Sequence, residues 1–330
     1  MDDSELAEET YRLLRQVPEG RVTSYGALAE ALGAIEASRL VGHYMAVNPY
    51  APKVPCHRVV HSDGRIGRYS SPRGVEQKVE LLAKEGVRVE KGRIADFEKV
   101  LFRDFKGAGP LKKLREYQES LLSKLVLEDR REPYANAVAF DVAYDEAGAF
   151  AAGALFGLKE HKPGPTVTVH AAVTFPYIPT FLGFREIPAI KAVFGSLVAR
   201  PDLLLVDGNG TLHPRGMGIA SMAGIELDTP TVGVAKSLLC GEVAKPPEME
   251  GDSSEVRVDG KVRGFALRIS QAAKGLVYVS PGHLVSPKRA VELIGSLVVD
   301  GQVEPLRRAH VEARKFAATF KSGRPLADSA

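Results

Sequence analysis

A chain of 330 residues, 45% hydrophobic and 26% charged, has material for two separate cores and the balance of a globular protein rather than a disordered one. Its two cysteines exclude a disulfide framework, no paired Cys/His spacing suggests a zinc site, and no stretch reaches the roughly 18 apolar residues of a membrane span. The net charge of +3 is too small to diagnose a nucleic-acid partner, but residues 1–9 hold five acids while residues 11–106 hold seventeen Lys and Arg against eleven Asp and Glu, a basic body suited to phosphate.

The acidic opening Met1-Asp2-Asp3-Ser4-Glu5 is unlike a secretory leader, so a cytoplasmic location is expected. Leu6, Tyr11, Leu13 and Leu14 recur at helical spacing over 4–16, and Pro18-Glu19-Gly20 stops the helix. Ser24 is placed to cap a second helix over 25–32, Gly33 to end it, and Ala37-Ser38 to open a third through Arg39 to Val47, which is helix-turn-helix spacing. Lys106 to Pro110 reads as a linker, followed by an amphipathic helix over 111–127. Three runs, 137–144, 149–156 and 166–175, read as an antiparallel meander; a helix over 187–198, a buried strand over 203–206, a helix over 217–224 and a strand over 231–235 follow. Asp259-Gly260 signals a hairpin, 275–279 is the last clear strand, and a helix begins at Ser286.

Two stretches carry chemistry. The first is Val54-Pro55-Cys56-His57-Arg58-Val59-Val60, which sets a thiol beside a base and a cation. Thiolate is the attacking form of cysteine and is favoured by a neighbouring His or Arg, although a free intracellular cysteine is more often a small buried hydrophobe. The surrounding segments tilt the balance: Val22-Thr23-Ser24-Tyr25-Gly26, Arg39-Leu40-Val41-Gly42, Asn48-Pro49, Gly67-Arg68-Tyr69-Ser70 and Leu81-Leu82-Ala83-Lys84-Glu85-Gly86. Together they resemble the catalytic domain of O6-alkylguanine-DNA alkyltransferases. That resemblance implies that Cys56 takes and keeps the alkyl group, with His57, a water and Glu85 relaying the proton. It implies that Arg39 fills the stack behind a flipped nucleotide, that Tyr25 crowds its phosphate, and that Tyr69, Ser70 and the backbone of Val59 line the base pocket, with Asn48 also at the site. The family's additional N-terminal domain has no counterpart in these residues.

The second stretch is a pair of acids at apolar strands, Asp141 inside Ala-Val-Ala-Phe-Asp-Val-Ala-Tyr and Asp207 directly after Leu-Leu-Leu-Val. Carboxylates gathered from neighbouring strands repel unless a divalent cation sits between them, although hydrogen-bonded structural Asp residues are equally common. Again longer segments decide: Phe140-Asp141-Val142-Ala143-Tyr144, Pro176-Tyr177-Ile178-Pro179 through Arg185-Glu186, Val206-Asp207-Gly208-Asn209-Gly210, His213-Pro214-Arg215-Gly216, Gly218-Ile219-Ala220-Ser221, Gly233-Val234-Ala235-Lys236 and Val279-Ser280-Pro281-Gly282-His283. These resemble endonuclease V across about residues 112–320. The resemblance implies that Asp141, Glu186 and Asp207 bind magnesium (or manganese), with His283 positioning water or moving protons and Lys236 near the phosphate. Tyr177, Ile178 and Pro179 would form a wedge beside the lesion, Gly208 and Gly210 would let backbone approach the base, and His213 would lie near the cleft. Met222, where relatives commonly have His, and Phe140, where many have Gly, are departures.

The expectation is therefore a two-domain protein. A small, mainly α helix-turn-helix (winged-helix-like) alkyltransferase domain spans 1–106, a linker 107–110, and an α/β ribonuclease-H-like endonuclease domain with a mixed sheet 111–330. The expected function is DNA repair on duplexes carrying O6-alkylguanine or deoxyinosine, with nicking at the second phosphodiester 3′ to deoxyinosine. No membrane partner and a monomer are expected. The alternatives are a non-catalytic lesion-binding module joined to a nuclease acting on inosine in RNA or single strands, and a helix-turn-helix regulator.

Overall fold

The computed structural model describes residues 1–272 and 275–321. Its contacts divide the chain into two compact units: Met1–Tyr117 with Thr174–Pro179, and Gln118–Val173 with Thr180–Ala330. Among the described residues no helix is long and apolar enough to cross a membrane.

In the first unit α1 (Asp3–Leu14) starts at a capping box, in which Asp2 accepts from the Glu5 amide while Glu5 accepts from that of Asp2. Strand β1 (Thr23–Ser24) leads into α2 (Tyr25–Leu32); Ser24 caps it through the Ala27 amide, and Gly33 ends it at φ 104°, a left-handed conformation that glycine adopts without strain. A short 3-10 turn then opens α3 (Ser38–Ala46). Cys56–Arg58 form another 3-10 turn, and β2 (Val59–Val60) returns parallel to β1. Next come α4 (Gly74–Lys84), the hairpin of β3 (Val89–Glu90) and β4 (Arg93–Ile94), and α5 (Phe97–Val100). The stretch read as a linker is tied to α1: Arg12 and Gln16 donate to the Lys106 carbonyl, and Glu9 accepts from the Ala108 amide. Helix α6 (Pro110–Ser120) is shorter than its spacing suggests and gives way to a 3-10 turn over Leu121–Lys124.

The second unit is built on one sheet. In chain order its strands are β5 (Asn136–Asp145), β6 (Gly148–Gly157), β7 (Lys162–Ala171), β8 (Leu203–Asp207), β9 (Thr231–Ala235), β10 (Glu242–Val243), β11 (Ser253–Val258), β12 (Lys261–Arg268) and β13 (Leu276–His283). They lie in the order β10-β11-β12-β13-β9-β8-β5-β6-β7. β5, β6 and β7 are the expected antiparallel meander, and β5, β8 and β9 run parallel. This is the mixed sheet expected of a ribonuclease-H-like fold. Asp259 and Gly260 both adopt positive φ between β11 and β12, as a tight hairpin turn requires.

Successive side chains of a strand face opposite ways, and here both faces are buried. Ala137, Ala139, Leu203 and Leu205 pack with α9 (Pro287–Ser296) and α10 (Glu304–Lys321), while Val138, Phe140, Leu204 and Val206 pack with α7 (Leu182–Gly195) and α8 (Ile219–Leu227). Helix α7 starts five residues before its expected position, so Glu186 lies within its first turns. Met222 is buried against Gly183 and Phe140 is buried in the sheet, so both departures from the family pattern are core residues. Helix α10 was not anticipated, although Leu306, Ala309, Ala313 and Phe316 recur on one buried stripe.

Ahead of α7 the chain is braced by a polar network. Gln118 and His213 both bond the Thr180 carbonyl, Arg215 donates to that carbonyl and to Gln118, and the His213 Nδ1 accepts the Arg215 amide. Burial first, then the Arg215 charge, pushes the His213 pKa down to about 4. An unfolded histidine takes its proton near 6.5, so the unfolded state binds more protons between pH 6.5 and 4. Stability contributed at and above pH 6.5 is therefore lost as pH falls toward 4. Urea unfolding should show a shallower loss between pH 7 and 5 in His213→Gln than in the parent protein; identical slopes would contradict this placement.

Candidate active sites

In the first unit Cys56 is buried at the head of its 3-10 turn, following Pro55, and opens onto a cavity of about 460 Å3. Tyr25, Arg39, Tyr69 and Ser70 all line that cavity. The absence of a side chain at Gly67 lets the Tyr25 hydroxyl approach, since a Cβ there would meet it at 2.5 Å. Burial, then the charge of an ionised Cys56 and a hydrogen bond with it, raises the Tyr69 pKa, so this phenol stays protonated.

Behind the thiol stands a charged array. The Glu85 carboxylate meets His57 Nε2 at 2.7 Å and accepts from Arg58 Nε and from its terminal nitrogen, each at 2.8 Å. Glu85 is the C-cap of α4, and Gly86 follows it at φ 78°. Burial alone would raise the Glu85 pKa, but the Arg58 and His57 hydrogen bonds outweigh it and hold the group below the ordinary carboxylate range. For His57 burial dominates and lowers its pKa, against the pull of Glu85. Facing a carboxylate, Nε2 must be the donor, which leaves the buried Nδ1 as an acceptor with no protein partner.

Two expected members lie elsewhere. Asn48 donates to the Val54 carbonyl and accepts from the Tyr50 amide, so it shapes the loop before Cys56 and does not line the cavity. The Val59 carbonyl accepts from Lys78 Nζ at 2.5 Å. Lys78 is a member the sequence reading missed: it is 0% exposed, burial lowers its pKa to about 8, and the Cys56 charge acts on it in the opposite direction. It is therefore a cation at neutral pH behind the thiol. Only its apolar neighbours in α4, Val79 and Leu82, could have hinted that position 78 faces inward.

In the second unit the register brings Asp141 and Asp207 to the same level, since Phe140 pairs with Val206 on adjacent parallel strands. Each acid has its own partner: Asp207 takes the Lys236 ammonium at 2.8 Å, Asp141 meets His310 Nδ1 at 2.7 Å, and Glu186 accepts from the Tyr144 hydroxyl at 3.0 Å. Arg185 stacks over the Tyr144 ring at 4.3 Å. Burial first, then the charges of Asp141 and Asp207, pushes the Glu186 pKa up to about 7 against the Tyr144 bond. The Lys236 pKa is lowered by burial but carried above its ordinary value by Asp207. Among the described residues, no three His, Cys, Asp or Glu side chains are drawn into one tight metal-holding set.

His283 is a correction. It pairs with Thr231, which in turn pairs with Leu204, three residues before Asp207 and roughly 10 Å along the strand. Its Nδ1 accepts the Val126 amide at 3.3 Å, and burial lowers its pKa. The histidine at the carboxylates is His310, on the helix that the sequence reading did not find. Ile178 is a second correction: it is 0% exposed and cannot wedge, whereas Tyr177 beside it is 61% exposed and Pro179 is half-buried. Gly208 and Gly210 pack tightly against Ile219 and the Pro281 backbone, where no side chain would fit.

Residues 119–311 match the family model for endonuclease V, and residues 5–87 match that for the 6-O-methylguanine DNA methyltransferase, DNA binding domain. A bifunctional methyltransferase/endonuclease of Thermoplasma volcanium is 35% identical over 311 residues, covering 94% of this chain and 89% of the relative. One of Picrophilus torridus is 33% identical over 310 residues, covering 94% and 96%. Among solved structures, endonuclease V of Streptomyces avermitilis matches with a TM-score of 0.59 at 30% identity, covering 64% of this chain and 94% of its own. The catalytic domain of human endonuclease V matches at 0.61 and 29%, covering 67% and 100%. With both family models matched in order and relatives aligned over nearly its whole length, the chain belongs to the family of bifunctional methyltransferases/endonucleases of DNA repair.

Proposed function

We propose that Cys56 removes alkyl groups from O6-alkylguanine in duplex DNA, once per molecule, and that the second unit nicks DNA at the second phosphodiester 3′ to deoxyinosine. The observation that carries this is the separation of the reactive groups into two clusters, each with the donors its chemistry needs: a thiol with a neutral base, and three carboxylates with a lysine and a histidine. The alkylated base must leave the stack, because a thiol cannot reach the guanine O6 inside a duplex. The α2–α3 pair is suited to reading the groove as a helix-turn-helix, and exposed Arg39, on α3 and lining the cavity, to filling the gap.

In the transfer step the thiol proton passes to His57 Nδ1, directly or through a water, and the sulfur forms a bond to the alkyl carbon. The carbon–oxygen bond breaks, its electron pair returns to guanine, and guanine is reprotonated. Glu85, pinned by Arg58, stabilises the imidazolium that forms. Lys78 adds positive charge behind the sulfur.

Burial first, and then the like charges of Asp141 and Asp207, push Glu186 up to about 7, a setting that a divalent cation relieves, so Asp141, Glu186 and Asp207 fit magnesium or manganese. When bound, such an ion supplies Lewis-acid activation of the phosphate and of an attacking water. Lys236 brings a cation to the phosphate, and His310, oriented by Asp141, is placed to hold or move a proton. Tyr177 is the exposed ring suited to wedging a base step.

Cys56→Ser should abolish stoichiometric label transfer from O6-methylguanine DNA while nicking persists, because a hydroxyl is far harder to ionise. A labelled Cys56→Ser protein would remove Cys56 as the acceptor. Asp207→Ala, or chelation of the parent protein, should eliminate nicking and spare transfer; nicking by a variant shown folded by circular dichroism would displace the metal site. His310→Ala should slow single-turnover nicking by about 10²–10⁴ and His283→Ala far less, and the reverse order would restore His283 to the reaction.

A further inference from the structure

We propose that a cavity of about 790 Å3 on the α10 face of the sheet is a subsite for the nucleoside immediately 3′ of the cut phosphodiester. The proposal rests on the endonuclease reading above. Asp207, its partner Lys236 and the His310 that meets Asp141 all line this cavity, so it adjoins the carboxylate cluster. Much of the rest is apolar: Ile269, Val303 and Leu306 belong to the core between the sheet and helices α9 and α10, yet open onto this space. A phosphodiester lying on the carboxylates would therefore deliver one of its two nucleosides here, and the volume falls in the range of small-ligand sites, roughly 300–1,000 Å3.

The fold selects which nucleoside. The glycine loop after Asp207 lies on the opposite face, where a Cβ on Gly208 would meet Ile219 of α8 and one on Gly233 would meet Ala220. A lesion base taken up against that loop sits on the α8 side of the carboxylates. The strand, cut beyond the next nucleotide, must then continue past them toward α10. Arg307, next to Leu306 on α10, also lines this space and, paired with Glu304, adds a second cation to that of Lys236 for the backbone that follows. Tyr278 and Gln302 also line the space, so a base here would meet an aromatic ring and polar groups as well as the apolar walls.

The test is single-turnover nicking by the full chain, in magnesium, of deoxyinosine duplexes whose second nucleotide 3′ of the lesion is either intact or abasic. The subsite predicts about a tenfold loss on the abasic duplex. Leu306→Trp, which fills the cavity, should slow the intact duplex to the abasic rate and erase the difference between the two, with label transfer to Cys56 unchanged. Equal rates on intact and abasic duplexes with the parent protein would overturn the subsite, as would a Leu306→Trp protein that keeps the parental ratio. The parent-protein arm decides even where Leu306→Trp fails to fold. Failure to nick the intact duplex at all would instead overturn the endonuclease reading.

Discussion

Like-charge repulsion where the carboxyl end of β8 meets the middle of β5 is the constraint on which the second unit depends. Asp141 and Asp207 stand level because β5 and β8 run parallel in one register, and Glu186 is brought to them by α7. Three negative groups in a partly dry setting are costly, and the fold meets the cost with a different donor for each: His310, Lys236 and the Tyr144 hydroxyl. These donors arrive from a helix, a strand end and the meander. The Gln118–His213–Arg215 network fixes the chain that leads into α7, so Glu186 depends on polar contacts well outside the cluster.

The first unit solves a smaller version of the same problem. One carboxylate, Glu85, is kept ionised by a guanidinium fork and fixes the tautomer of a buried imidazole beside a thiol, while burial holds that imidazole neutral against the pull of the carboxylate. In both sites the reactive group is prepared by a partner several dozen residues away in sequence, and in both a lysine supplies the remaining positive charge: Lys78, fully buried, in one and Lys236, largely exposed, in the other. The difference in exposure suits the two tasks, since a fully buried ammonium can act only on a group the fold provides, whereas an exposed one can meet an external phosphate.

Much of this was legible in the sequence where local chemistry decides. Ser24 and Gly33 mark the ends of α2 because capping is a property of neighbouring residues, and Asp259-Gly260 marks a hairpin because only certain residues take positive φ cheaply. The apolar strand over 203–206 and its terminal acid declared both a buried strand and a site. What failed was assignment by motif proximity. His283 ends an ordered, distinctive segment, but the antiparallel register carries it toward the other end of β9, whereas His310 sits in no conspicuous segment and reaches Asp141 only because α10 lies across β5. Ile178 and Tyr177 are neighbours in a single motif with opposite fates, since only the packing around them decides which side chain turns outward. Lys78 was invisible because a lysine within a helix is normally solvated.

In the proposed division of labour one chain carries two chemistries, of which only one needs a divalent cation. The direct measurement is a single preparation of the unmodified protein incubated with two labelled duplexes, one bearing O6-methylguanine and one deoxyinosine, in magnesium and in chelator. The account predicts alkyl label on the protein under both conditions, at no more than one equivalent, and nicking of the deoxyinosine strand only in magnesium. Label transfer that required magnesium, or nicking that survived chelation, would contradict it.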